Sequence, residues 1–277
     1  MRRRDYPAPG GLERVKVTIA CGQFAPVPGD SASNAGKIAA HAREAARRGA
    51  AVLVLPELCL CGYPKPAAAR GWAVDPRGAG LCQVVQCATA EGIALCMGFV
   101  ERDGENLHNS MLFIDETGVT RAVYRKVHLW VSEKAWAVPG RGFSGFDPGL
   151  RMPGLRAGMW ICYDTRFPEC ARTLARDNVA LALVGSAWFG PAEEWELAVR
   201  ARALDNGMYV AASAVQGSFG TAPFHGVSLI VDPHGRVLAR GGEGREEIIC
   251  ADYDSDEVEK FRARLPLLSD LRPGAYA

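Results

Sequence analysis

Apolar and polar positions alternate along this chain in two rhythms, one with the period of a strand and one with the period of a helix. "VKVTIACG" (15–22) switches between apolar and polar residues, whereas "AAVLVLP" (50–56) is continuously apolar, as expected of a strand covered on both faces. Between them, "DSASNAGKIAAHAREAARRGA" opens on good N-capping residues, is rich in alanine, and closes on Gly49 after two arginines that suit a helix C-terminus. The order strand, helix, strand recurs. A helix is predicted over 79–91 and a strand in "IALCMGFV" (93–100). "NSMLFIDETGVTRAVYRK" then reads as two strands joined by a turn at Glu116 to Gly118.

The second half repeats the layout. "AGMWI" (157–161) predicts a strand, "PECARTLAR" (168–176) a helix with Pro168 in its first turn, and "VALALVGSAW" (179–188) another strand. Asp177 and Asn178 fill the intervening turn, where asparagine tolerates the left-handed conformation. A long amphipathic helix (191–207) precedes "MYVAASAV", "GVSLIVDPHGRVLAR" and "REEIICADY", three or four more strands with a turn at Asp232 to Gly235. A short charged helix follows near 254–264. Strands alternating with helices, some paired directly by turns, suggest an α/β fold in which two mixed sheets lie between helix layers, a four-layer α-β-β-α sandwich. The pattern alone leaves a single doubly wound sheet open.

Composition narrows the class of function. At 277 residues and 48% hydrophobic, the chain suits one large α/β domain, and no linker or low-complexity segment divides it. A formal charge of +1 supplies no basic field for nucleic acid or an anionic membrane, which leaves a small molecule or another copy of the chain as the expected partner. The start, "MRRRDYPAPGGLER", is basic but lacks the apolar stretch of a signal peptide, so residues 1–14 read as a loose tail before a single domain over 15–277. No run approaches the roughly 18 to 20 apolar residues of a membrane span. Nine cysteines, an odd number without the spacing of a secreted disulfide scaffold, suggest a reduced, cytoplasmic protein.

Three polar side chains stand at the ends of predicted strands, where open α/β sheets tend to place chemistry. Glu57 follows "AVLVLP", Lys126 follows "RAVYR", and Cys162 follows "AGMWI". Taken singly, each has an ordinary reading: a helix cap, a solvated charge, a buried inert thiol. Cys21, Cys82, Cys87, Cys96, Cys170 and Cys250 are expected to be such thiols. Lys126 is one of few lysines in an arginine-rich chain, and a compact ammonium can reach a single oxygen where a guanidinium fits less well. Cys59 and Cys61 form a C-x-C without further ligands at zinc-like spacing, so no metal is expected; in an extended conformation they would share a face with Glu57. A Cys-His reading, with His128 or His225 as base, would leave Glu57 and Lys126 without a role.

Together these stretches resemble the nitrilase, or carbon-nitrogen hydrolase, superfamily. "LPELCLCGYP" is similar to its glutamate motif, "YRKVHLW" to its lysine motif and "ICYDTRFPE" to its cysteine motif, in the family's order. "EKAWAVPGRGF", "RARALDNGMYV", "GVSLIVDPHGRVLA" and "SDLRPGAY" extend the similarity over about residues 15–276. The resemblance implies the four-layer sandwich and a Glu-Lys-Cys chemistry. The Cys162 thiolate, favoured by the helix starting near Pro168 and by the lysine, would attack an amide carbon and form a thioester. Glu57 would move the protons, and Lys126 with the Tyr163 backbone N–H would hold the oxyanion. The family pattern adds a second glutamate, matching Glu133, that orients Lys126 and substrate. Tyr63, Trp136, Trp188 and Phe189 are candidate pocket walls, Trp188 foremost, while Arg166 and Glu169 are expected to pair and brace the cysteine turn.

Nitrile-cleaving members typically follow the cysteine with Trp-Glu, whereas this chain has Tyr163-Asp164, which resembles the amidase side, including ω-amidases. Thr165 departs from the Leu or Met common in ω-amidase-like members. The expected substrate is a small primary amide, with ammonia as co-product and no cofactor; N-carbamoyl amides and nitriles are the alternatives within the family. A non-catalytic binding or assembly protein on the same scaffold is the alternative outside it. Family members commonly dimerise through the helices flanking the cysteine strand, here 168–176 and 191–206, with the C-terminal segment "LPLLSDLRPGAYA" reaching across, so a homodimer or higher homo-oligomer is expected.

Overall fold

The unbroken apolar runs form strands buried on both faces. In the computed structural model, which describes residues 14–275, the first half of the chain comprises β1 (Lys16–Gln23), α1 (Ser31–Arg47), β2 (Ala50–Val54), α2 (Pro66–Trp72), α3 (Cys82–Glu91), β3 (Ala94–Asp103), β4 (Asn106–Ile114) and β5 (Thr120–Arg125). After a mostly irregular segment come β6 (Ala157–Ile161), α4 (Pro168–Arg176), β7 (Leu181–Ser186), α5 (Ala192–Asn206) and β8 (Tyr209–Ala214). The remainder adds β9 (Gln216–Phe219), β10 (Ala222–His225), β11 (Leu229–Val231), β12 (Val237–Arg240), β13 (Glu247–Asp254) and α6 (Ser255–Arg264). The tail read over 1–14 lies outside the described residues except for Arg14, which pairs with Asp254 and Asp256.

Two large sheets result, with strand orders β13-β1-β2-β3-β4-β5 and β12-β11-β8-β7-β6. The first is parallel at its centre and antiparallel on both flanks, and the second is parallel from β6 to β8 and antiparallel from β8 to β12, so the single doubly wound sheet is excluded. Helices α1 and α3 cover the outer face of the first sheet, where Ile38, Leu53, Leu95 and Leu112 meet. Helices α4 and α5 cover the second, and β1, β2 and β3 lie against β7 and β8 between them. The four layers are those the sequence pattern suggested.

Three local differences have physical causes. The strand read as 93–100 continues to Asp103 and turns directly into β4, with Asp103 opposite Asn106 and Gly104 at φ 58°. This outer end is polar because it extends past the apolar layer, and periodicity cannot see it. Helix α2 starts on Pro66 and buries only Ala69, too little for a helical stripe. The β9–β10 hairpin consists largely of half-exposed residues without alternation. Asn178 does take the left-handed conformation, at φ 60°.

Candidate active site

The chain leaves β2 at Leu55 and Pro56 and places Glu57 between the two sheets with no exposure, followed by Leu58 at φ 52°. Glycines on both sides make room. A Cβ at Gly98 on β3 would lie 2.3 Å from the Leu58 nitrogen and 2.7 Å from Glu57 Cα, and one at Gly185 on β7 would lie 2.8 Å from the Glu57 nitrogen. Gly98→Ala is therefore expected to displace the glutamate turn, lowering kcat/KM about 100-fold and stability by about 1–3 kcal/mol. Gly36→Ala, where nothing lies within 4 Å of the added carbon, is the control and is expected to stabilise helix α1 slightly. Turnover and thermal melts of both variants check this; equal melting and turnover for Gly98→Ala and wild type would show that the turn can yield.

Lys126 follows β5 directly and is buried. Its Nζ donates to Glu57 Oε1 at 2.7 Å and to Glu133 Oε1 at 2.8 Å. Asn109 on β4 bridges the same two oxygens, its Nδ2 donating at 2.7 and 2.9 Å. Glu133 is fixed further by the Trp130 N–H on Oε2 at 2.8 Å and the Tyr63 hydroxyl on Oε1 at 3.0 Å. Tyr63, expected as a pocket wall, thus acts on Glu133, while its ring packs edge-on against Phe189 and Phe219.

Cys162 ends β6 at φ 43°, a conformation a side chain rarely adopts unless its surroundings enforce it. Asp164 does so: its Oδ2 accepts from the Ile161 N–H at 3.0 Å and the Tyr124 hydroxyl at 2.6 Å, and its Oδ1 from the His128 N–H at 2.9 Å. One buried carboxylate thereby ties the cysteine turn to the segments on either side of Lys126. The thiol lies 3.5 Å from the Ala187 carbonyl, and the Ala187 N–H donates to Glu57 Oε2 at 2.6 Å. Sulfur and carboxylate thus meet at the backbone of one residue.

Burial pushes the Glu57 carboxyl up to about 7, with Lys126 opposing and Glu133 adding to the shift. Burial acts the same way on Glu133, but there the charge and hydrogen bond of Lys126, the Trp130 N–H and Tyr63 outweigh it and hold the group low. Lys126 remains a cation because two carboxylates overcome its own burial. The Cys162 thiol is pushed well above its ordinary value, first by burial and then by the Glu57 charge. Burial thus works against the expected resting thiolate and favours a thiol beside a carboxyl whose raised proton affinity suits neutral pH.

A narrow pocket, with a cavity of ≈ 20 Å³, opens at the sulfur and is lined by Trp130, Cys162, Tyr163, Arg166, Trp188 and Phe189. Trp188 and Phe189 are where the sequence placed them; Trp136 packs beside this wall, not in the lining. Arg166 does not pair with Glu169. It stacks over the Trp188 ring at 4.5 Å and pairs with Glu194 at the start of α5. Cys59 and Cys61 do not extend along Glu57's face, because the left-handed Leu58 turns the chain. Cys59 reaches toward the Gly98 carbonyl and Cys61 toward the Gly62 carbonyl. Cys82 is exposed and Cys250 partly so, contrary to expectation. Among the described residues, no group of three His, Cys, Asp or Glu could hold a metal ion.

Sequence reasoning missed Asn109, Asp164 and Arg166 as parts of this site. Asn109 left one signal, a polar residue opening the run "NSMLFI" in the sequence, although β4 itself begins at Asn106.

A family model described as carbon-nitrogen hydrolase matches residues 18–263. The chain is 33% identical over 266 residues to a 2-oxoglutaramate amidase of Bacillus subtilis (strain 168), covering 95% of this chain and 100% of the relative. It is 33% identical to an omega-amidase of Homo sapiens, covering 85% and 88% of the two chains. Among solved structures it resembles a glutamate-to-glutamine mutant of the amidase from Nesterenkonia sp. AN1, showing covalent addition of the acetamide moiety of fluoroacetamide at the active site cysteine. The TM-score is 0.83 at 27% identity, covering 94% of this chain and 95% of that one.

Proposed function

Because the chain belongs to the carbon-nitrogen hydrolase family, we propose that it is an amidase that converts a small carboxylic amide and water to the acid and ammonia through a thioester on Cys162. The observation that carries this reading is the single buried cluster in which Lys126 touches Glu57 at 2.7 Å while Glu57 and Cys162 share the Ala187 backbone. A binding scaffold would gain nothing from three buried charged groups, each costly to desolvate.

Cys162 Sγ attacks the carbonyl carbon as its proton passes to Glu57. Lys126 Nζ and the Tyr163 N–H hold the oxyanion of the tetrahedral intermediate. The C–N bond breaks as Glu57 protonates the departing nitrogen, releasing ammonia and leaving the thioester. Water then attacks, giving a proton to Glu57; the C–S bond breaks, the thiol regains its proton, and the acid leaves. Glu133 holds Lys126 in place throughout.

For substrate, we favour an amide carrying a second, anionic end. The relatives include a 2-oxoglutaramate amidase and an omega-amidase, and Arg166 brings a guanidinium into the pocket lining beside the sulfur. Ammonia release should be measured on dicarboxylic monoamides, neutral amides of the same length, N-carbamoyl compounds and nitriles. Arg166→Gln is expected to raise KM for the monoamide about 10- to 100-fold and to leave the neutral amide nearly unchanged. An equal loss on both would assign Arg166 to structure alone, and turnover of nitriles without amides would overturn the amidase reading.

A homodimer through α4 and α5 fits the exposed Leu197 and Leu204 on α5 and the exposed Leu265 and Leu267 of the C-terminal segment. All nine cysteines are free, which supports a reducing compartment such as the cytoplasm. No helix among the described residues is long and apolar enough to cross a membrane.

A further inference from the structure

Asn109 is fully buried, and its Nδ2 donates to Glu57 Oε1 and Glu133 Oε1, the two oxygens that Lys126 also engages. Its Oδ1 has no partner among the described residues. Reversing the amide would set that oxygen against both carboxylate oxygens, so charge fixes the observed orientation.

A carboxylate oxygen offers two in-plane lone pairs. Oε1 of Glu57 is filled, one pair facing Lys126 and the other Asn109. Among the described residues Oε2 accepts from the Ala187 N–H alone and keeps one pair open, and Cys162 Sγ lies at the carbonyl of that same residue. We infer that Asn109 is a positioning residue that, with Lys126, occupies Glu57 Oε1 and so commits Oε2 to receive the Cys162 proton. The inference rests on the reading of Glu57 as the base. It also explains why a neutral donor is needed besides the lysine. Lys126 Nζ also has to serve the oxyanion of the tetrahedral intermediate, and Asn109 keeps Oε1 occupied through that step without changing the charge of the site.

The charged and titratable groups facing Glu57 are Lys126 from the end of β5, Glu133 from the turn after it and Cys162 from the end of β6, with Tyr63 reaching the cluster through Glu133. Removing Asn109 alters none of these charges, so a moved titration reports the lost hydrogen bond. The test is kcat/KM against pH for ammonia release from the best amide of the panel, in wild type, Asn109→Ala, Asn109→Ser and Tyr63→Phe. Wild-type activity should rise with pH through a limb near 7, where Glu57 ionises. Asn109→Ala should move that limb upward by about one to two pH units, with activity recovering above it, because hydrogen bonds to a charged group favour its ionised form. Asn109→Ser should fall between, and Tyr63→Phe, which removes a hydroxyl that contacts Glu133 and Ser132 but not Glu57, should leave the limb within a few tenths of wild type. An unmoved limb with a uniform drop in rate would overturn the inference while leaving Glu57 as the base. A limb that survives in Glu57→Gln would overturn the underlying reading instead. Should the Asn109 variants not fold, the side-chain amide resonance of Asn109 in the wild type decides: it should titrate with the midpoint of the activity limb, and a resonance insensitive to pH across that range would sink the proposal.

Discussion

The Cys162→Ala variant is expected to release ammonia at least about 10⁴-fold more slowly than wild type on every amide, while melting within about 1 kcal/mol of it. The first half follows from the proposed chemistry. Without sulfur there is no thioester, and the remaining groups face a water molecule that is neither as nucleophilic nor positioned at the Ala187 backbone. The second follows from the structure: alanine keeps the left-handed backbone at φ 43°, and the Asp164 contacts that enforce it involve no atom of the cysteine side chain. Alkylation by iodoacetamide supplies an independent readout. Exposed Cys82 will label as well, so the informative signal is the adduct mapped at Cys162, its coincidence with loss of activity, and its rise with pH as Glu57 ionises. Substantial turnover by Cys162→Ala, or inactivation without a Cys162 adduct, would refute the nucleophile.

Lys126→Met is expected to affect both rate and fold. Loss of the proposed oxyanion partner should lower kcat by about 10²- to 10³-fold. Loss of the cation leaves Glu57 and Glu133 buried together with only Asn109, Tyr63 and backbone N–H donors, and breaking such a buried pair costs about 3–5 kcal/mol. The sign of the pH dependence follows from linkage. Without the ammonium, burial and mutual repulsion raise the carboxyl groups in the folded state above their unfolded values, so the folded state holds protons that the unfolded state has released. The stability this contributes is present below the unfolded carboxylate range and is lost as pH rises through the raised values. Denaturant melts at pH 5 and pH 8 should therefore show a deficit relative to wild type that widens at the higher pH. A deficit independent of pH would mean that methionine merely packs badly. Lys126→Arg is not expected to rescue activity, since a planar guanidinium cannot replace a point cation aimed at two oxygens in a site this closed.

Much of the site was legible before any coordinates because its members stand where strands stop. Glu57 and Cys162 follow strands whose burial is written in unbroken hydrophobic sequence, while Lys126 follows β5, a largely exposed edge strand; in each case a strand has little choice about which edge of the sheet its end reaches. Glu133 was legible only by resemblance, since "SEKAW" has no local pattern that distinguishes a buried carboxylate from a surface one. Asn109 and Asp164 could not be assigned because their roles lie in partners far along the chain: Glu57 is 52 residues from Asn109, and Tyr124 is 40 from Asp164. The same holds for Gly98 and Gly185, ordinary strand glycines until the Glu57 turn comes against them. Arg166 was placed with the wrong acid because Glu169 is near in sequence, whereas Glu194 is brought close by helix α5 packing beside α4.

By itself, then, the order of residues specified most of the strands and helices, and with them the three strand ends that carry sulfur, carboxylate and ammonium, because hydrophobic periodicity and turn chemistry act over a few neighbouring residues. Tertiary structure alone decided the protonation states and the directions of the hydrogen bonds. Those depend on how deeply Glu57 and Cys162 are withdrawn from water and on which distant donors are left to face them, and only the closure of two sheets on one another determines either.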